Sequence, residues 1–143
     1  MALALPMLRL LRATGGSRPR PVRARRPGLK PPYLKLLRRA HGIEIWLVDG
    51  EWVRLHRAID FAEGAHGLLG NGYIPRNQIW IDDQAEKRAQ KFFTLHELRE
   101  RGLMEAGHGY DEAHAAASAL EVHYRAHPRG LSQALKLETG RRR

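Results

Sequence analysis

Two short segments of the chain are rich in the β-branched and aromatic residues that strands favour. Ile43–Val48 contains two isoleucines, a tryptophan, a leucine and a valine, and residues 79–82 read Ile-Trp-Ile-Asp. Successive side chains of a strand point to opposite faces of the sheet. We therefore expect Ile79 and Ile81 to share one face and Trp80 to lie on the other.

The residues around these two segments predict further elements. Asp49-Gly50 separates Ile43–Val48 from a third apolar run at residues 52–55, and this dipeptide between two such runs predicts a β-hairpin. Residues 33–40 are compatible with a short helix. Residues 61–77 contain four glycines and indicate a loop.

The spacing of apolar residues becomes helical after residue 83. Phe92, Leu95 and Leu98 recur every three residues, as on one face of a helix. We expect this helix to begin at Asp83 or Gln84 and to end near residues 102–104.

A second helix is expected after a glycine-rich turn at residues 107–109. Asp111 is a suitable N-cap for it, since aspartate accepts hydrogen bonds from the first free N–H groups of a helix. The helix should end near Ala126, because Pro128 cannot continue it.

These elements predict an α+β fold in which a small antiparallel sheet (the hairpin plus one further strand) packs on two main C-terminal helices. We divide the chain into a disordered basic arm at residues 1–32, the folded domain at residues 33–136 and a basic tail at residues 137–143. With 143 residues, the chain is long enough for one such domain.

The net charge of +10 is concentrated at one end of the chain. Residues 1–39 contain 11 Lys/Arg and no Asp/Glu, whereas residues 40–143 contain 14 Lys/Arg and 15 Asp/Glu. The arm could bind nucleic-acid phosphates or could be a solvated tail. The phosphate-binding candidates in the arm are Arg18, Arg20, Arg23, Arg25 and Arg26.

The chain has no cysteine, which excludes disulfides and thiolate metal sites. A zinc site would have to use histidine, aspartate, glutamate and water. No apolar run reaches the roughly 18–20 residues that span a bilayer, so we expect no membrane span and a cytoplasmic protein.

The helix predicted after residue 83 carries a candidate metal site. His96 and Glu100 are four residues apart and therefore share one helix face. His114, one turn into the second helix, is the best third ligand. Glu97 is placed to act as a general base, and Glu121 could be a fourth ligand or could orient a histidine.

The same residues also allow an arrangement without metal. Glu97 could pair with Arg101, and Glu100 with Arg99 or Arg125, as ordinary surface ion pairs.

Three further groups near the candidate site remain open. His66, in the glycine-rich loop, is a possible ligand or substrate contact. Tyr110 could donate to an oxyanion or simply pack. The strand at Ile79, Trp80 and Ile81 could bind an extended substrate through its backbone.

Residues 43–125 resemble small bacterial and phage metallopeptidases of the zincin type. The resemblance rests on the segment 95–101 with its HExxE pattern, on residues 79–82, and on Tyr110 with the residues around His114 and Glu121. It implies a zinc-dependent hydrolase, a minimal metallopeptidase for which we expect a peptide or protein substrate, but it does not name that substrate. His96, Glu100 and His114 would be the ligands and Glu97 the catalytic base. Larger zincins have histidine at the position of Glu100.

The alternative function is a non-enzymatic protein that binds nucleic acid through its N-terminal arm.

Overall fold

The computed structural model describes residues 28–140, so the predicted arm up to residue 27 and the last three residues of the predicted tail lie outside the described part. Within residues 28–140 the fold is α+β, with four strands and four α-helices. The strands are β1 (Tyr33–Ala40), β2 (Ile43–Val48), β3 (Gly64–His66) and β4 (Gln78–Asp82). The helices are α1 (Gly50–His56), α2 (Lys87–Glu105), α3 (Tyr110–Ala126) and α4 (Leu131–Gly140).

The sheet is mixed, with the strand order β1-β2-β4-β3. β1 and β3 pair antiparallel with their neighbours, whereas β2 and β4 are parallel. The prediction of an antiparallel sheet was therefore wrong for the central pair. The physical reason is the connection, since α1 and β3 lie between β2 and β4 and allow the chain to re-enter the sheet in the same direction.

The hairpin forms one strand earlier than predicted. Asp49 is the N-cap of α1, and its carboxylate accepts from the backbone N–H of Trp52 at 3.0 Å. The hairpin instead joins β1 to β2 through His41 and Gly42, which both have positive φ (50° and 79°), as two-residue hairpin turns require. The predicted helix at residues 33–40 is therefore strand β1, since pairing with β2 outweighs the local helix propensity.

The two faces of β4 belong to two different hydrophobic cores. Ile79 and Ile81 pack with β2 and with Leu98 of α2. Trp80 packs on the other face with Val48, Val53 and further residues around α1 and β3. The predicted alternation of this strand is confirmed.

The helices after β4 form a hairpin that is extended by one more helix. α2 begins at Lys87, a few residues later than expected, and α3 begins at Tyr110 with Gly109 rather than Asp111 as its N-cap. The sequence pattern missed α4, whose Leu131 and Ala134 pack against Leu95. Because α4 extends to Gly140, residues 137–140 are helical rather than part of a tail.

Within residues 28–140, no helix combines the length and the apolar character needed to cross a membrane.

Candidate metal centre

α2 places an unusual set of polar side chains in the interior. His96, Glu97 and Glu100 are all buried, with Glu100 only 2% exposed. α2 packs against the sheet on one side and against α3 on another, which encloses the face that carries these residues. Buried charged groups need partners. The residues that surround Glu100 therefore indicate the role of this face of α2.

The carboxylate of Glu100 lies at the meeting point of three histidines from three elements. Its Oε1 is 3.0 Å from Nε2 of His66 on β3. Its Oε2 is 3.2 Å from Nε2 of His96 on α2 and 2.7 Å from Nδ1 of His114 on α3. The predicted convergence of His96, Glu100 and His114 is therefore what the structure shows.

These contacts also determine the charge of the two central groups. Burial works against ionisation of Glu100, but hydrogen bonds from the three histidines outweigh it and hold its pKa well below the ordinary range. Burial likewise tends to lower the pKa of His96, but the hydrogen bond to Glu100 and the neighbouring carboxylates raise it overall. Hydrogen bonds between an ionised Glu100 and the histidines around it thus stabilise the arrangement of the site.

The donor atoms of His96, Glu100 and His114 fit a single metal ion. One nitrogen or oxygen from each lies within 4.8 Å of the others. Around a tetrahedral zinc ion with bonds of about 2.0–2.1 Å, neighbouring donors are roughly 3.3 Å apart, and the 3.2 Å separation of His96 and Glu100 is close to this. The His114 contact is shorter, at a hydrogen-bond distance. Its side chain remains 47% exposed, which leaves a route to solvent.

Glu121 is placed to support His96 rather than to complete the ligand set. Its Oε1 lies 3.3 Å from Nδ1 of His96, the nitrogen that faces away from Glu100. The distance is that of an ion pair, although the angles are not those of a hydrogen bond. The other oxygen of Glu121 accepts from Arg125 at 3.0 Å. A carboxylate behind a ligating histidine is a common way to fix its orientation.

Glu97 is the second acid of the site whose pKa is strongly perturbed. Among the described residues, its Oε2 is buried and has no hydrogen-bond partner. Burial, and next the charge of Glu100, raise the pKa of Glu97 to about 8. Gly64 of β3 makes room for this side chain, because a Cβ at Gly64 would lie 3.2 Å from Cγ of Glu97.

The site opens into a cavity of about 170 Å³. Tyr110 lies at its edge and stacks on His114, with 5.3 Å between the ring centres. Burial, and next the charge of Glu100, raise the pKa of Tyr110, so its hydroxyl remains a donor at neutral pH. The cavity is lined by Glu63, Gly64, Leu69, Phe93, His96, Glu97, Glu100, Tyr110, His114 and Glu121.

A second group of potential ligands shares Glu100 with the first. Donor atoms of His66, Glu97 and Glu100 also lie within 4.8 Å of one another, and all three residues are buried. However, Nδ1 of His66 accepts from the backbone N–H of Leu68 at 3.2 Å, so a neutral His66 carries its proton on Nε2 and cannot ligate through the nitrogen that faces Glu100. The group with His96 and His114 is therefore the better metal site.

The predicted substrate strand is in the wrong place. The backbone of β4 at Ile79, Trp80 and Ile81 pairs with β2 on one side and with β3 on the other, so it has no unpaired edge for another chain. The outer edge of the sheet beside the site is β3. The sequence pattern missed β3, because its three residues lie within a glycine-rich segment and carry no apolar alternation.

The metal-free ion pairs considered for Glu100 do not occur. Arg125 pairs with Glu121, and Arg99 lies 3.8 Å from Glu138. The phosphate-binding candidates Arg18, Arg20, Arg23, Arg25 and Arg26 lie outside the described residues, so phosphate binding by the arm stays a prediction. Glu63 and Gly64 also line the cavity, and no sequence motif indicated them.

Comparison of the chain with protein-family models, with curated proteins and with solved structures gives no match.

Proposed function

We propose that this protein is a hydrolase that binds one zinc ion through His96, Glu100 and His114. One observation carries the proposal, namely the convergence of these three side chains at a solvent-connected cavity beside the buried carboxyl group of Glu97. Two histidines and one carboxylate are an established ligand set for catalytic zinc, which keeps a fourth position for water or substrate.

The chemistry of the cavity supports a bound cation independently of the resemblance. Four carboxyl groups and two histidines line the cavity, and Oε2 of Glu97 is buried without a hydrogen bond among the described residues. A buried carboxyl oxygen without a hydrogen-bond partner destabilises the folded protein unless a further group contacts it. A cation beside the carboxyl groups would reduce this cost and would favour the ionised form of Glu97.

Bound zinc supplies a Lewis acid that polarises a carbonyl group and lowers the pKa of water. Glu97 would accept a proton from water in the cavity and return it to the leaving group. Tyr110, at the cavity edge, would donate a hydrogen bond to a developing oxyanion. Glu121 keeps the imidazole of His96 oriented. We infer a peptide or protein as substrate, since the edge strand β3 borders the cavity and can pair with an extended chain.

Metal content and metal binding of the purified full-length protein test the first part of the proposal. We expect about one zinc per chain, lost in His96→Ala and in His114→Ala. The double variant His123→Ala/His127→Ala is the matched control, because these two exposed histidines stack at 4.7 Å on the surface of the helical region. Zinc that disappears only in the control variant would show adventitious surface binding and would refute the site.

Hydrolysis of a mixed peptide pool, followed by mass spectrometry, tests the second part. Glu97→Gln should retain the zinc and lose hydrolysis by roughly two to four orders of magnitude, the range expected for a general base. Full hydrolytic activity in Glu97→Gln would exclude Glu97 as the base. A zinc-loaded wild-type protein without hydrolysis would reduce the proposal to a metal-binding domain.

A further inference from the structure

His66 occupies a place that neither the proposed ligand set nor the proposed acid–base chemistry uses. It is fully buried, and it lies on the edge strand beside the centre of α2. We infer that His66 is a positioning residue, which holds Glu100 so that one carboxylate oxygen is directed to the metal position. This inference rests on the proposed function and deepens it.

The hydrogen bonds of His66 fix which ring nitrogen carries the proton. A backbone N–H can only donate, so Nδ1, which receives the N–H of Leu68 at 3.2 Å, must be unprotonated. A neutral ring then carries its proton on Nε2. That nitrogen lies 3.0 Å from Oε1 of Glu100 and donates to it.

Because of this hydrogen bond, the two carboxylate oxygens of Glu100 have different roles. Oε1 is occupied by His66, while Oε2 faces His96 and His114. A carboxylate held in this way can ligate through one oxygen in a fixed orientation. The same proton excludes His66 from ligation through Nε2, which separates its role from those of the other two histidines.

The backbone around His66 holds the ring in place. His66 pairs with Ile79 in the sheet, and the next residue begins a 3-10 turn, Gly67–Leu69. A Cβ at Gly67 would collide with the backbone of Pro75, so the turn lies tightly against the segment before β4. The position of Nε2 is therefore set by the sheet and not by the helix that carries Glu100.

Two substitutions at residue 66 separate positioning from packing. His66→Gln keeps a side-chain N–H near the position of Nε2, whereas His66→Phe keeps the bulk and removes the donor. Zinc affinity is measured by competition with a chromophoric chelator. We expect one zinc in each protein, with affinity within a few-fold of wild type for His66→Gln and roughly 10–100-fold weaker for His66→Phe, the range typical of residues that orient metal ligands. Equal affinities of both variants and the wild type would overturn the inference.

A measurement on the metal-free wild-type protein keeps the inference testable if a variant does not fold. Long-range ¹H–¹⁵N correlation spectra of the histidine rings should show His66 with its proton on Nε2 and with Nδ1 unprotonated. A proton on Nδ1 would refute the inference. If wild-type protein binds no zinc while His66 shows the expected proton, the zinc proposal fails and the contact from His66 to Glu100 stands.

Discussion

At the residue scale, Glu97 and Glu100 show how two identical side chains three residues apart acquire opposite properties. Glu100 receives three histidine contacts, and its pKa lies well below the ordinary range. Glu97 is buried with one oxygen unpartnered among the described residues, and its pKa is raised to about 8. An anchored anion next to a carboxyl group that can exchange a proton is the pairing that acid–base chemistry requires.

The raised pKa of Glu97 predicts how the stability of the metal-free protein depends on pH. The folded chain binds a proton at Glu97 that the unfolded chain releases above about pH 4.5, so stability should fall as pH rises from there to about 8. Glutamine does not titrate, so the stability of Glu97→Gln should not fall in this way. We expect the free energy of unfolding of the variant to rise relative to that of the wild type between pH 4.5 and 8, by up to a few kcal/mol, because one pKa unit corresponds to about 1.4 kcal/mol.

Urea unfolding in the presence of a chelator, at several pH values between 4 and 9, measures this difference. Glu112→Gln makes the same chemical change at an exposed position of α3 and is the matched control. A difference between wild type and Glu97→Gln that stays constant with pH would contradict the buried, proton-binding state of Glu97.

At the scale of single elements, Asp49 determines how the chain leaves β2. Its carboxylate caps α1 by accepting from the N–H of Trp52. Asp49→Ala should destabilise the protein by about 1 kcal/mol, the usual cost of losing an N-cap, whereas Asp49→Asn should cost less because it retains the acceptor. Thermal unfolding of both variants checks this ranking. Equal stability of Asp49→Ala and the wild type would show that the cap contributes nothing.

The same aspartate shows why sequence pattern predicted only part of the fold. Asp-Gly between apolar runs is typical of a hairpin, yet here the aspartate caps a helix and Gly50 lies against the carboxylate of Asp82 with no room for a Cβ. Only the position of Asp82 in the folded sheet distinguishes the two outcomes. The helical segments were predictable, α2 because its apolar residues recur at helical spacing and α3 because a glycine-rich turn precedes it and Pro128 follows it.

The sequence likewise predicted only part of the candidate site. His96, Glu100 and His114 could be predicted, since two share a helix face and the third follows a short turn. His66 is thirty residues before His96, in a segment without regular pattern. Its place beside Glu100 depends on the pairing of β3 with β4, a long-range contact that periodicity does not reveal.

At the scale of the whole molecule, the net positive charge is concentrated at the N-terminal end of the chain. Residues 1–32 carry eight Lys/Arg and no Asp/Glu, whereas residues 40–143 carry one more acid than base. If the alternative function holds, binding to a DNA or RNA oligonucleotide should weaken steeply with added salt and should disappear on deletion of residues 1–32.

A full-length variant with glutamine at Arg18, Arg20, Arg23, Arg25 and Arg26 separates charge from chain length. Fluorescence anisotropy at 50 and 200 mM salt should show weaker binding and a smaller salt slope for this variant. Binding that survives the deletion of residues 1–32 would instead assign nucleic-acid contacts to the folded domain.

Because Glu100 contacts residues of β3, α2 and α3 through a single carboxylate, it acts as a non-covalent cross-link between the sheet edge and the helical hairpin. Local opening of β3 or of α3 must break a contact to Glu100 on α2. Zinc should therefore slow amide hydrogen exchange in β3 and in the first turns of α3 together, although about 45 residues of chain separate them. Protection confined to α2 and α3 would show that the edge strand opens independently.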